Sequence, residues 1–180
     1  NVVATTPMAA LRAVSSRRRT SADEFADRYD VALRFHDWQA MLESGDIDAI
    51  YVATPTSVRE EISIAAANAG KHVLAEKPFA SSASVKRIIE ACRRNDVAFM
   101  DGTHFVHHPR HHAIKDGMAE LVGSPWSVAS AFQFGLPNRG DIRYNAELEP
   151  MGAIGDAGWY NMRAALEYLP GDAAPASVEA

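Results

Sequence analysis

The sequence has little cysteine, no long apolar run and no excess of positive charge. Its single cysteine, Cys92, excludes a disulfide within these 180 residues and favours a reducing compartment such as the cytoplasm. No apolar run approaches the ~20 residues that a membrane-spanning helix needs, so we expect no membrane partner. The formal net charge of -5 argues against nucleic acid as the main partner.

A glycine-rich turn is also missing. The pattern G-x-G-x-x-G, which lets the backbone approach the pyrophosphate of a dinucleotide, occurs nowhere in the chain. Either the sequence begins after such a turn or the fold does not bind a dinucleotide. The first residue is Asn1 rather than methionine, and a strand is predicted soon after it. We favour the first alternative and expect a chain that is incomplete at both ends.

What is present is a regular alternation of apolar runs and helical segments. The apolar runs predict strands over 11–15, 31–35, 47–53, 72–75 and 97–100, and the intervening segments predict helices over about 21–29, 38–43, 57–69 and 82–95. Ser21 and Asp37 are predicted N-caps, and Gly70 is a predicted helix stop. This alternation predicts an α/β fold with a doubly wound parallel sheet and right-handed crossovers.

The pattern changes after residue 105. It predicts a helix over 113–121, a strand over 126–134, a polar loop over 136–151 and a helix from about 156 to 170, followed by the start of a strand at 176–178. We therefore predict one domain over 1–105 and the beginning of a second α/β domain over 106–180.

Three polar turns follow predicted strands, and the carboxyl ends of parallel strands share the edge of the sheet where ligands bind. The turns are Ser15-Ser16-Arg17, Thr54-Pro55-Thr56 and Glu76-Lys77-Pro78. Because a guanidinium forms charge-assisted bonds to phosphate, Ser16 and Arg17 favour the 2′-phosphate of NADP over the free ribose hydroxyl of NAD. The alternative for this pair is a solvated basic turn.

Lys77 follows the apolar run 72–75 and precedes a proline. Pro78 cannot continue a strand ladder and disfavours a helical conformation for the residue before it, so a stiff backbone corner places the lysine. A lysine held in this way is a candidate catalytic group. The alternative is that Glu76 and Lys77 form a solvated turn.

A second cluster contains Asp156 and Tyr160, one helical turn apart on the same predicted face. A nearby ammonium favours the phenolate and lowers the pKa of a tyrosine. Paired with Lys77, Tyr160 can therefore exchange a proton with a substrate hydroxyl or carbonyl. The alternative for Asp156 is ordinary helix capping.

Five histidines lie close together in the sequence. They are His104, His107, His108, His111 and His112. Their spacings suit zinc in a continuous helix, but Pro109 interrupts the segment and no cysteine or nearby glutamate completes a ligand set. We predict no metal site, and favour lining of a substrate cleft or packing between domains.

Together these motifs resemble the glucose-fructose oxidoreductase and inositol dehydrogenase family of NAD(P)-dependent enzymes. The matching stretches are Ala53-Thr54-Pro55, residues 70–78, His108-Pro109 and residues 155–160. The tyrosine is similar to that of dimeric dihydrodiol dehydrogenases and sugar oxidoreductases, whereas many inositol dehydrogenase-like members have histidine there. Arg59 departs from the family pattern, since many members have histidine after the Thr-Pro turn.

The resemblance implies an NAD(P)-binding Rossmann domain over 1–105 and a C-terminal domain with a mostly antiparallel sheet, often used to form homo-oligomers. It implies that Lys77 is the catalytic lysine, that Tyr160 is the proton donor or acceptor, and that Asp156 lies near the substrate. The residues that it implies along the nicotinamide side are Thr54, Pro55 and Glu76.

The leading hypothesis is an NADP-dependent oxidoreductase, with NAD as the alternative cofactor, that moves hydride between nicotinamide and a sugar, cyclic alcohol or diol. The rival is a non-catalytic dinucleotide or sugar sensor on the same fold, since fold alone does not fix function. The presence of both Lys77 and Tyr160 favours catalysis.

Overall fold

The computed structural model describes residues 6–169 and Ser177. The chain divides into two compact units, the first ending at Asp101 and the second beginning at Gly102. No helix of the described residues is both long enough and apolar enough to cross a membrane.

The first unit alternates strands and helices throughout. Its elements are β1 (Ala13–Ser15), α1 (Arg19–Tyr29), β2 (Leu33–Phe35), α2 (Trp38–Leu42), β3 (Ala49–Val52), α3 (Thr56–Asn68), β4 (His72–Ala75), α4 (Ser82–Arg94) and β5 (Phe99–Asp101). Every strand pairing is parallel, which confirms the predicted α/β class. The described strands form two sheets, in the orders β1-β2 and β3-β4-β5, rather than one continuous sheet.

The ends of the helices follow local side-chain chemistry. Asp37 caps α2 by accepting a hydrogen bond from the backbone N–H of Ala40 at 2.6 Å, and Ser81 caps α4 in the same way. Gly70 follows α3 with a φ of 74°, a conformation that glycine adopts without steric cost. The predicted cap at Ser21 is wrong, because its backbone N–H already donates to the carbonyl of Arg18 within the first turn of α1.

The core of the first unit lies between the three-stranded sheet and helices α3 and α4. Alternate residues of β3, such as Ile50 and Val52, are buried, whereas Tyr51 between them is 57% exposed. Cys92 is buried in α4, and burial raises the pKa of its thiol.

The second unit contains two main helices, α5 (Pro109–Leu121) and α6 (Trp159–Tyr168). Helix α5 begins four residues earlier than predicted, because proline suits the first helical position and His108 caps it through Nδ1, which accepts from the Arg110 N–H at 3.1 Å. Pro109 therefore starts a helix instead of interrupting one. A π-helical turn, Ile154–Gly158, leads directly into α6, so Asp156 lies inside this turn and does not open the helix.

The predicted strand over 126–134 is wrong. The structure describes these residues as irregular and mostly exposed. An apolar alternation becomes a strand only where a neighbouring strand takes up its backbone hydrogen bonds, and the described part of the second unit contains none. The strand predicted at 176–178 lies outside the described residues except for Ser177.

A polar network joins α5 to α6. Buried His111 contacts the Tyr168 hydroxyl through Nδ1 at 2.9 Å and Glu167 through Nε2 at 3.3 Å. Lys115 and Arg163 each donate to Glu167 at 2.9 Å. The Lys115 bond is the main reason that the pKa of Glu167 lies below its ordinary value. These bonds fix the carboxyl-terminal half of the helix that begins beside Tyr160.

Candidate active site

Two of the predicted site turns lie next to each other in the first unit. Strands β3 and β4 are parallel neighbours, with Val52 opposite Ala75. The turn containing Thr54 and Pro55 follows β3, and the turn containing Glu76 and Lys77 follows β4. Since both strands end at the same edge of the sheet, the structure brings these two turns together.

A buried arginine joins the two turns. Arg59, in the second turn of α3, is 4% exposed. Its guanidinium donates to the backbone carbonyl of Thr54 in one turn and to that of Pro78 in the other. It also donates to Thr56 Oγ1 at 3.0 Å. Arg59 therefore fixes the separation of the two turns, a role that the sequence did not reveal beyond its departure from the family's histidine.

The Lys77 corner is further shaped by its neighbours. The Lys77-Pro78 peptide bond is cis, and Lys77 itself is half-buried. Glu76 accepts a hydrogen bond from the Tyr51 hydroxyl at 2.5 Å and one from the Lys77 backbone N–H at 3.2 Å. This carboxylate thus holds the backbone at the corner, which argues against a freely solvated turn.

A buried hydroxyl lies on the opposite turn. Thr54 Oγ1 is buried and has no hydrogen-bond partner in the part of the chain that the structure describes. Leaving such a group unsatisfied costs about 1–3 kcal/mol. A ligand that brings a donor or an acceptor to this edge of the sheet would remove the cost.

Ser16 and Arg17 lie on the other sheet of the first unit. They follow β1, which pairs with β2, and no ladder connects β1 to β3 among the described strands. Ser16 Oγ accepts from the Arg18 N–H at 3.3 Å, and Arg17 is exposed. The structure therefore does not place this pair on the three-stranded sheet that carries the other two turns.

We expect Arg59→Met to lower the free energy of unfolding by about 1–3 kcal/mol, because both carbonyls lose their guanidinium donor in a buried place. Urea unfolding of the two proteins measures this difference. Arg87→Met is the matched control. Arg87, in α4, forms an exposed ion pair with Glu60, the residue after Arg59 in α3. Equal unfolding midpoints for the Arg59 and Arg87 variants would contradict the assigned role.

The second unit surrounds Tyr160 with aromatic rings. Its ring lies 4.9 Å from that of Phe132 and 6.2 Å from that of Phe105, measured between centroids. The hydroxyl lies 3.2 Å from Nδ1 of His104. One residue earlier, the indole N–H of Trp159 donates to Thr103 Oγ1 at 2.7 Å. Of the five clustered histidines, His104 is thus the one that contacts the candidate proton donor.

Asp156 is held by an arginine that the sequence analysis missed. Arg143 Nε donates to Asp156 Oδ2 at 2.6 Å, and Arg143 also bonds Asp141. The Asp156 bond is the main reason that the pKa of Arg143 lies above its ordinary value. Both residues line a cavity of about 330 Å³, together with Phe132 and Phe134. Arg143 lies in a polar loop without a distinctive motif, so nothing in its spacing indicated this pairing.

For the five clustered histidines, the sequence predicted no metal site. Among residues 6–169, no group of three or more histidine, cysteine, aspartate or glutamate side chains is arranged to hold a metal ion. His111 instead belongs to the network between α5 and α6, and His108 caps α5.

Comparison with known proteins identifies the family. A family model described as an oxidoreductase family with an NAD-binding Rossmann fold matches residues 1–103, which is more than half of the chain. The chain belongs to the glucose-fructose oxidoreductase and inositol dehydrogenase family. The resemblance drawn from the motifs around Lys77 and Tyr160 is thereby confirmed, and so is the Rossmann fold of the first unit.

Several members of this family are similar along most of the chain. A dTDP-3,4-didehydro-2,6-dideoxy-alpha-D-glucose 3-reductase from Actinomadura kijaniata is 35% identical over 168 residues, covering 92% of this chain and 50% of the relative. A D-xylose 1-dehydrogenase (NADP(+)) from Haloferax volcanii is 31% identical over 159 residues, covering 87% and 49%. The chain spans about half the length of these curated relatives.

A solved structure agrees with the fold. A 3-ketoreductase from Actinomadura kijaniata, crystallised as a tyrosine-to-phenylalanine variant with TDP-benzene and NADP, superimposes with a TM-score of 0.88. It is 34% identical, and the match covers 94% of this chain and 52% of that one.

Proposed function

We propose that the protein is an NADP-dependent oxidoreductase that transfers hydride between nicotinamide and a carbinol carbon of a sugar or related cyclic alcohol or diol. The observation that carries this proposal is the pair of turns at the ends of β3 and β4, joined by Arg59. They present a buried threonine hydroxyl and a half-buried lysine at the edge where open α/β sheets bind ligands.

The residues at this edge fit a nicotinamide cofactor. Thr54, Pro55 and Glu76 would line its nicotinamide side, and Thr54 Oγ1 would gain the hydrogen-bond partner that it lacks among the described residues. When bound, the cofactor supplies or accepts the hydride. Support for NADP comes from the A. kijaniata reductase, whose structure holds it, and from the Haloferax relative, whose name specifies it.

The residue that would exchange a proton with the substrate lies in the second unit. We propose that Tyr160 exchanges this proton with the substrate oxygen, while the Lys77 ammonium favours the phenolate and stabilises negative charge developing on that oxygen. Asp156, oriented by Arg143, would bond a substrate hydroxyl.

The substrate class is a sugar, and the relatives supply two forms of it. The A. kijaniata reductase is named for a dTDP-linked keto sugar and the Haloferax enzyme for a free aldose. Both forms therefore belong in a substrate panel. We also propose a homo-oligomer assembled through the second domain (106–180) and a cytoplasmic location, the latter because a single cysteine, with no disulfide partner in these 180 residues, fits a reducing compartment.

The cofactor assignment is tested at the turn after β1. We expect Arg17→Ala to raise the Kd for NADP by about 10–100-fold, because a charge-assisted bond to the 2′-phosphate contributes about 1.5–3 kcal/mol. The Kd for NAD should stay unchanged, since NAD has no such phosphate. Fluorescence titration of the natural protein and the variant measures both constants.

Arg12→Ala is the matched control for this test, because Arg12 is an exposed arginine at the opposite end of β1. Its affinity for NADP should equal that of the natural protein. An Arg17 variant that loses NADP and NAD affinity equally, or loses neither, would contradict the assigned phosphate contact.

A further inference from the structure

A second proton-carrying group contacts Tyr160. The phenolic oxygen lies 3.2 Å from Nδ1 of His104, which is within hydrogen-bond distance, and the two rings meet edge to face with centroids 5.3 Å apart. The imidazole is exposed, so its other nitrogen can exchange protons with water. His104 thus contacts the oxygen that carries the proton in the proposed reaction and is itself open to solvent.

The position of His104 is built into the second unit. Thr103 is completely buried, and its Oγ1 accepts the indole N–H of Trp159 at 2.7 Å. This bond joins the residues immediately before His104 and Tyr160, so residues 103 and 104 pair with residues 159 and 160 at the start of α6. This part-buried bond beside the exposed one fixes the register in which imidazole and phenol meet.

His104 is a titratable side chain in direct contact with the Tyr160 hydroxyl. Phe105 and Phe132 pack against the ring and carry no proton. Asp156 and Arg163 lie on the same helical segment, but their side chains bond Arg143 and Glu167 respectively. The contact between Tyr160 and His104 therefore offers a route for a proton within this unit.

We propose that His104 relays protons between solvent and Tyr160 during turnover, an inference that rests on the proposed oxidoreductase function. In the direction of carbonyl reduction, the Tyr160 O–H bond breaks and its proton goes to the substrate oxygen, while the carbonyl carbon receives hydride from the reduced nicotinamide. The phenolate then takes the proton from Nδ1 of the His104 imidazolium. The neutral imidazole takes up a proton from water, which restores both residues.

Two variants separate proton transfer from packing. His104→Gln retains a side chain that can hydrogen-bond the phenol but cannot carry a proton through, and we expect kcat to fall about 10²-fold. We expect the kcat of His104→Ala to fall by a similar factor. Its activity should recover in proportion to added imidazole, because the exposed site admits a small buffer molecule. His107→Ala is the control and should keep the natural kcat, because His107 is an exposed histidine at the other end of the short 3₁₀ helix His104–His107.

A measurement without cofactor or substrate tests the contact itself. In nitrogen-15 spectra, the His104 Nδ1 signal should shift in Tyr160→Phe, which removes only the hydroxyl, whereas the His107 signals should not. An unchanged His104 signal overturns the proposal, and so does natural turnover in His104→Gln. A His104→Ala variant that imidazole fails to rescue overturns it as well.

The outcomes also distinguish this inference from the function on which it rests. If the natural protein transfers hydride but the His104 variants match it, only the relay is wrong. If the natural protein binds NADP and transfers no hydride to any sugar, the oxidoreductase proposal fails and the relay fails with it.

Discussion

Lys77→Met is expected to lower kcat by about 10²–10⁴-fold while NADP still binds. Methionine keeps most of the length of the lysine stem but removes the ammonium, so the substrate oxygen loses its nearby positive charge and the phenolate of Tyr160 is no longer favoured. The corner around residue 77 should persist, because Glu76 bonds the backbone N–H there and Arg59 bonds the next carbonyl. Steady-state kinetics with NADPH and a responsive sugar measures kcat, and fluorescence titration measures NADP binding.

Lys71→Met is the matched control for the lysine variant. Lys71 precedes the opposite end of β4 and donates to the Ser44 carbonyl at 2.9 Å, away from the two turns. Its loss should affect stability slightly and leave kcat near that of the natural protein. Natural turnover in Lys77→Met would remove the lysine from the mechanism, and a loss of NADP binding equal to the loss of kcat would reduce its role to cofactor binding.

Tyr160→Phe is expected to produce a loss of the same size, about 10²–10⁴-fold in kcat. The substitution removes only the proton-carrying hydroxyl and keeps the ring that packs against Phe132 and Phe105, so the fold of the second unit should be retained. Since the phenol is the titrating group, the pH dependence of kcat should also flatten on the limb that it controls. Steady-state kinetics across a range of pH measures both effects.

Tyr168→Phe is the control at the other end of α6, where the lost hydroxyl contacts His111 instead of the candidate site. It should keep the natural pH profile. Residues that act on one proton are not additive, so Lys77→Met combined with Tyr160→Phe should be little worse than either variant alone. Losses that multiply in the double variant would argue that the two residues act independently.

The sequence predicted those features of the first unit that depend on neighbouring residues in the chain. Asp37 and Gly70 mark helix ends because a short side chain or a positive φ acts within one turn. The parallel strands followed from apolar runs alternating with helices, a pattern that needs no knowledge of distant contacts. The motif around Lys77 also identified the family before any fold was known.

The remainder depended on contacts across the chain. The run 126–134 has strand-like residues but no partner among the described ones, and Pro109 is a helix start or a helix break depending on what precedes it. Arg59 stands where many family members have histidine, but nothing in the sequence shows what it binds, and Arg143 looks like an ordinary surface arginine. Folding brings the carbonyls of two turns to the Arg59 guanidinium, and it brings the Asp156 carboxylate to Arg143. Their roles depend on these contacts.

The most direct test of the account is hydride transfer itself. NADPH carrying deuterium at nicotinamide C4, prepared separately with each of the two stereochemical labels, is incubated with the natural protein and a panel of nucleotide-linked and free keto sugars. The account predicts that, from one label, a single deuterium appears at the carbinol carbon of a product, as measured by mass spectrometry and NMR. Bound NADPH with no deuterium in any sugar would contradict it and would indicate a sensor.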